Sequence, residues 1–134
     1  LADVAGGGVC QTSTTMFRAA INAGLPILER KNHSWDVHYY QDWHGVDATV
    51  YPPGKVDLVF RNDTPGPILV HSYADEESEM AYFELYGTSD GRQISTETTQ
   101  NYRVGVGRKI VTQWSVTYAD GTTDTRKIIS NYIR

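Results

Sequence analysis

The sequence predicts an α+β fold: an N-terminal helix carrying the one cysteine, packed on an antiparallel β-sheet, with a C-terminal β-hairpin. Three observations predict it. A helical repeat lies between Ser13 and Ala23. From Val37 to Tyr86, strand-forming runs alternate with turn residues. Two alternating segments, Lys109–Tyr118 and Thr122–Ile129, then flank the turn Ala119-Asp120-Gly121.

The helix spans roughly Ser13 to Ala23. Met16, Ala20 and Ala23 share one face, with Phe17 and Ile21 beside it. Thr12 or Ser13 can cap its start, and a start nearer Cys10 is equally compatible. Gly24 stands where a left-handed C′ residue is wanted, and Pro26 forbids continuation. Expected strands are Val37–Tyr40, Asp47–Tyr51, Asp57–Arg61, Ile68–Tyr73 and Glu79–Tyr86. Pro52-Pro53-Gly54 and the stretch Asn62 to Pro67 supply turns between them. Asp75-Glu76-Glu77-Ser78 reads as a solvated hairpin tip. Past Gly87 the chain becomes polar, and Ser95 to Gln100 reads as a connector or an exposed edge strand. Residues 1–87 are expected to form the core unit, and residues 88–134 a hairpin extension of the same domain.

With 134 residues, 40% of them hydrophobic and 21% charged, the chain suits one globular domain. Its net charge of −4 gives a nucleic-acid partner no electrostatic support. No apolar run approaches the length of a membrane span. The chain opens on Leu1-Ala2-Asp3-Val4 without an initiator Met, so a piece of a longer protein is expected, with any targeting segment or membrane anchor upstream.

Cys10 follows Gly6-Gly7-Gly8-Val9 at the start of the expected helix. There the macrodipole and free backbone N–H groups favour a thiolate. The other reading is a small buried hydrophobe, the usual role of a free cysteine. A nucleophile needs a base, and the base needs an orienting group. His33 precedes one expected strand and Asp47 begins the next, so adjacent strands could set imidazole and carboxylate side by side. The order Cys, His, Asp is that of papain-like and transglutaminase-like thiol enzymes. Asp47 can equally be a strand-start residue bonding local N–H groups. His38 reads as a solvent-facing strand residue, His44 as a loop residue open to substrate, and His71 as structural. Arg18, about two turns after Cys10, is either a solvated helix residue or a bidentate partner for a substrate carboxylate. Backbone N–H groups at Gly8 and its neighbours suit an oxyanion better than a phosphate, because no Lys-Ser/Thr follows the glycines. No histidine pair has the i, i+4 helical spacing of a zinc motif and only one thiol is available, so neither a metal nor another cofactor is assigned.

At these residues the chain resembles the VanW family, named for an accessory protein of vancomycin-resistance clusters. The carrying segments are Gly6 to Thr15, Asn32-His33-Ser34, Gly45 to Val50 and Asp57 to Val70. The resemblance runs from about Asp3 to Gly87. It implies an L,D-transpeptidase-like cysteine acyl transfer on peptidoglycan stem peptides, or L,D-carboxypeptidase activity where water replaces the acceptor amine. It also implies an extracytoplasmic location in the bacterial cell envelope. Carried over by residue, Cys10 is the nucleophile, His33 the general base and Asp47 its partner. Gln11, Ser13 and Thr14 match the motif as loop-positioning or substrate-contacting residues, and Ser34 matches beside the histidine. The segment Tyr40-Gln41-Asp42-Trp43-His44 departs from members that carry prolines there. Two other readings stand beside the enzyme: a non-catalytic peptidoglycan-binding or scaffold module of the envelope, and a thiol hydrolase of another substrate.

Overall fold

A computed structural model describes residues 7–51 and 55–134. The turn expected at Pro52-Pro53-Gly54 and the first glycine of the run, Gly6, lie outside the described residues. The chain is α+β, with one α-helix and antiparallel sheets among the described residues. Helix α1 is Val9–Asn22. A short strand β1, Ile27–Glu29, pairs with β2, Val59–Phe60. A 3₁₀ helix, His38–Trp43, lies between them in sequence. Strands β3, Leu69–Asp75, and β4, Met80–Tyr86, form a hairpin. Strands β5, Gln93–Val104, β6, Gly107–Thr117, and β7, Thr123–Tyr132, form a three-stranded sheet in that order.

Helix α1 starts at the N-cap Gly8, so Cys10 lies in its first turn. It ends as the sequence predicts. Gly24 is left-handed (φ +70°), Leu25 N–H donates to Ala20 O and Gly24 N–H to Ile21 O, the paired bonds of a Schellman cap. The buried face is Ser13, Thr14, Phe17, Ala20 and Ile21, displaced from the expected Met16–Ala20–Ala23 stripe. Two hydroxyl residues can be buried there because both donate to Ala48 O, at 2.6 Å from Ser13 and 3.1 Å from Thr14.

Phe17 and Ile21 meet Val46 and Ala48 from the following loop, and Trp114, Val116 and Ile128 from β6 and β7. Full burial of each large apolar side chain contributes about 1.5–3 kcal/mol. Trp114 also donates its indole N–H to Ile21 O at 3.1 Å, tying the sheet to the helix. The core therefore draws on both ends of the chain. Where a terminal hairpin was expected, β5 adds a third strand. Its Thr-rich polar sequence suits an exposed edge, and a bulge interrupts its pairing between Thr98 and Gln100.

Two expected strands are absent. Val37–Tyr40 leads into the 3₁₀ helix, where Val37, Tyr40 and Trp43 recur every third residue on its inner side. Asp47–Tyr51 forms isolated bridges only, Lys31 with Thr49 and Tyr51 with Val56. The reason is that side chains satisfy the backbone of residues 45–48. Arg18 Nε donates to Val46 O at 2.8 Å, Ser130 Oγ to Gly45 O at 2.6 Å, and Thr14 Oγ1 accepts Ala48 N–H at 3.1 Å. No neighbouring strand is needed to pair these groups. The other strand expectations hold in shortened or shifted form: Asp57–Arg61 contracts to β2, Ile68–Tyr73 moves to β3, and Glu79–Tyr86 becomes β4 after Glu79 takes the turn at φ +54°. The acidic stretch forms the tip of that hairpin, with Ser78 Oγ donating to Asp75 at 2.6 Å.

Gly45 turns the chain into this loop with φ +86°, and a Cβ there would lie 2.5 Å from Ile110 Cγ2. Gly45→Ala is expected to cost about 3 kcal/mol, from left-handed strain plus overpacking, measured by urea unfolding.

Candidate functional site

Cys10, His33 and Asp47 come from three different kinds of segment: the first turn of α1, the loop after β1, and the buried loop after the 3₁₀ helix. Asp47 is 1% exposed. Its Oδ2 accepts two bonds from one residue, His33 N–H at 2.7 Å and His33 Nδ1 at 2.6 Å. Its Oδ1 accepts the Tyr132 hydroxyl and, at 3.2 Å, Arg30 Nη2. The carboxylate is thus bonded on both oxygens and paired with a buried guanidinium, which burial of a charge requires.

Arg30 serves the loop as well as the charge. Its Nε donates to Asp47 O, and Nη2 to Gly45 O at 3.1 Å and Ser130 Oγ at 2.8 Å. Its guanidinium also lies over the Phe17 ring, 5.2 Å from the centroid. Nothing in the sequence around Arg30 marks it. The same holds for Ser130 and Tyr132, which enter from β7.

The thiol of Cys10 is half-buried. Its Sγ lies 3.3 Å from Thr49 Oγ1 and 3.5 Å from Val50 O. Burial pushes the thiol up, but hydrogen bonds with Thr49 and the Val50 backbone, with the influence of the neighbouring His33 imidazolium, bring it below its ordinary value. His33 is raised: its bond to Asp47 is the largest cause, opposed by burial and reinforced by Cys10. Asp47 is pushed up by burial, yet donation from His33 and Tyr132 and the charge of Arg30 hold it below the usual carboxylate value. With Nδ1 engaged by Asp47, Nε2 is the ring nitrogen left for the thiol. The His33 ring also packs against Tyr40, centroids 5.4 Å apart.

The remaining sequence candidates divide. Gly8 and Gln11 are exposed at the helix start beside Cys10. Ser13 and Thr14 turn inward and hold Ala48, so they fix the loop. Arg18 is committed within the chain: besides Val46 O, it reaches Asp42 at 3.0 Å, Tyr40 O at 3.0 Å and Trp43 O at 3.1 Å. It has a structural role in place of the expected carboxylate contact or solvated face. Ser34 is exposed, and its carbonyl accepts Ile133 N–H at 2.8 Å. His44 bonds Asp36 at 2.6 Å and stacks on Tyr132, centroids 6.1 Å apart. His38 is exposed on the 3₁₀ helix, and His71 bonds Glu84 at 3.0 Å on the exposed hairpin.

Asp47 and His33 shift in opposite directions, which sets a pH window. The lowered Asp47 adds stability above about pH 4, its unfolded titration, and loses it as pH falls through the folded value. The raised His33 adds stability below about pH 6.5 and loses it as pH rises through the folded value. Both contributions are present between about pH 4 and 6.5. Asp47→Asn leaves Arg30 buried without its counter-charge and is expected to cost about 3 kcal/mol. In urea unfolding across pH, the gap between wild type and this variant should be widest in that window and close toward pH 2.

The model of the family described as VanW like protein matches residues 1–86. Over 72 residues the chain is 42% identical to the uncharacterized protein YoaR of Bacillus subtilis (strain 168), covering 54% of this chain and 23% of that one. Over 80 residues it is 32% identical to the vancomycin B-type resistance protein VanW of Enterococcus faecalis (strain ATCC 700802 / V583), covering 58% of this chain and 29% of that one. The chain thus spans less than a third of the length of these curated relatives. No solved structure matches it. On the match across residues 1–86, the chain belongs to the VanW-like family.

Proposed function

We propose that the chain is a cysteine acyl-transfer unit acting on peptidoglycan stem peptides, in the manner of an L,D-transpeptidase. The observation that carries the reading is the imidazole of His33, which is bonded at Nδ1 to buried Asp47 and whose charge favours the thiolate of Cys10. The helix start adds the positive end of its macrodipole. The family resemblance directs the acyl transfer to stem peptides. The whole protein's extracytoplasmic location and its partners belong to the same proposal.

In this reading the Cys10 thiolate attacks the carbonyl of the third stem residue, meso-diaminopimelate, while His33 carries the thiol's proton. The negative charge passes to the carbonyl oxygen. N–H groups of the first helical turn, which have no acceptor within the helix, suit that oxyanion. One such donor contributes about 2.7–4 kcal/mol to the transition state. The tetrahedral adduct expels D-alanine, whose amine takes the proton from His33, leaving a thioester on Cys10. The amine of a second stem then forms an amide and restores the thiol, or water gives a carboxylate.

Intact-mass analysis with defined muropeptides tests this. The reading predicts an acyl adduct on Cys10 together with free D-alanine, both abolished in Cys10→Ala. His33→Ala should slow D-alanine release by at least about a hundredfold while the fold persists. Unchanged turnover in Cys10→Ala would sink it. A folded protein that binds stems without an adduct would favour the non-catalytic binding module instead.

A further inference from the structure

We propose that Tyr132 is a positioning residue of this site, its hydroxyl fixing the Asp47 oxygen that His33 does not use. The inference rests on the reading of Cys10 as a nucleophile served by His33. Tyr132 lies on β7, beyond the segment that the family model matches. The phenol is buried, and its hydroxyl donates to Asp47 Oδ1, opposite the oxygen that holds His33. Burial and the neighbouring carboxylate push the phenol well above its ordinary value, so it stays a donor at every working pH.

The same strand and the two residues that follow it fasten the segment that carries His33. Asn32 Nδ2 donates to Asn131 O at 2.8 Å, Ile133 N–H to Ser34 O at 2.8 Å, and Asp36 N–H to Arg134 O at 2.8 Å. Ser130 Oγ reaches Gly45 O at 2.6 Å. Tyr132 is itself backed by the His44 ring, which bonds Asp36, and Asp36 is in turn paired with Arg108. β7 thus touches both segments that must meet, the one bearing the imidazole and the one bearing the carboxylate. Tyr132 is the point where it touches the carboxylate itself.

The chemistry gives the contact a purpose. A phenol donating to a carboxylate draws charge from it, so Asp47 is a weaker acceptor for His33 than a free carboxylate. An imidazolium held less tightly gives up its proton more readily to the departing amine. Removing the donor should tighten the imidazolium and slow leaving-group protonation together. Loss of a merely structural tyrosine would not couple the two.

The titration of His33 followed by nuclear magnetic resonance on the full chain tests this without any acyl substrate. The groups facing His33 in that titration are Cys10, Asp47, Arg30 and Tyr40, with His44 behind Tyr132. Tyr132→Phe should move the His33 midpoint up by about half a pH unit or more, because the carboxylate regains charge. Placing 3-fluorotyrosine at position 132, the same shape with a stronger donor, should move it down. Neither change should move the midpoint in an Asp47→Asn background. Midpoints that stay put, shift the same way in both variants, or shift equally without Asp47 would overturn the inference. If Tyr132→Phe fails to fold, the fluorotyrosine arm alone decides. Acyl transfer with an unmoved midpoint removes Tyr132 alone; opposite shifts without acyl transfer remove the proposed function and leave the contact.

Discussion

The buried carboxylate of Asp47 is the interaction on which the rest of the site depends. A charge at that depth costs several kcal/mol unless every lone pair finds a donor. Here the donors come from two distant parts of the chain, Arg30 and His33 from the loop after β1 and Tyr132 from the last strand, and meet on the loop that carries Asp47. Satisfying one side chain therefore fixes three segments at once. The imidazole is oriented as a by-product of that satisfaction, and its free ring edge is left for the first turn of α1.

A second constraint follows from the loop that carries Asp47. Residues 45–48 are buried, yet they form no regular strand. Their carbonyls and N–H groups are met by Arg18, Arg30, Ser13, Thr14 and Ser130. A strand neighbour would satisfy the same groups but would also impose a flat ladder. Side-chain donors allow the chain to bend sharply at Gly45 and present Asp47 inward. Arg18 and the two helix hydroxyls thus serve the site without facing a substrate.

Local signals carried the helix, its C-cap at Gly24 and the later hairpins, because each depends on residues close in sequence. The Cys, His and Asp candidates were also legible, as residue types in an order that suits a thiol nucleophile. Their supports were not. Arg30 and Tyr132 meet at Asp47 from 17 and 85 residues away, and no local pattern encodes such distances. Val37–Tyr40 carries strand-favouring residues, yet the bulky side chains recur every third residue, the period of the 3₁₀ helix found there. The strand assigned to Asp47–Tyr51 failed because β-favouring residues were read without knowing that side chains would take the backbone bonds. Arg18 was misjudged for the same reason: its acceptors are carbonyls of a loop whose course only the fold reveals.

The central claim is that Asp47 fixes the tautomer and orientation of His33. Nitrogen-15 chemical shifts of the His33 ring test it directly. Nδ1 should keep its proton above the imidazole midpoint while Nε2 loses its own, leaving the free lone pair on Nε2. In Asp47→Asn that preference should collapse. A neutral His33 protonated at Nε2 and bare at Nδ1 would contradict the account.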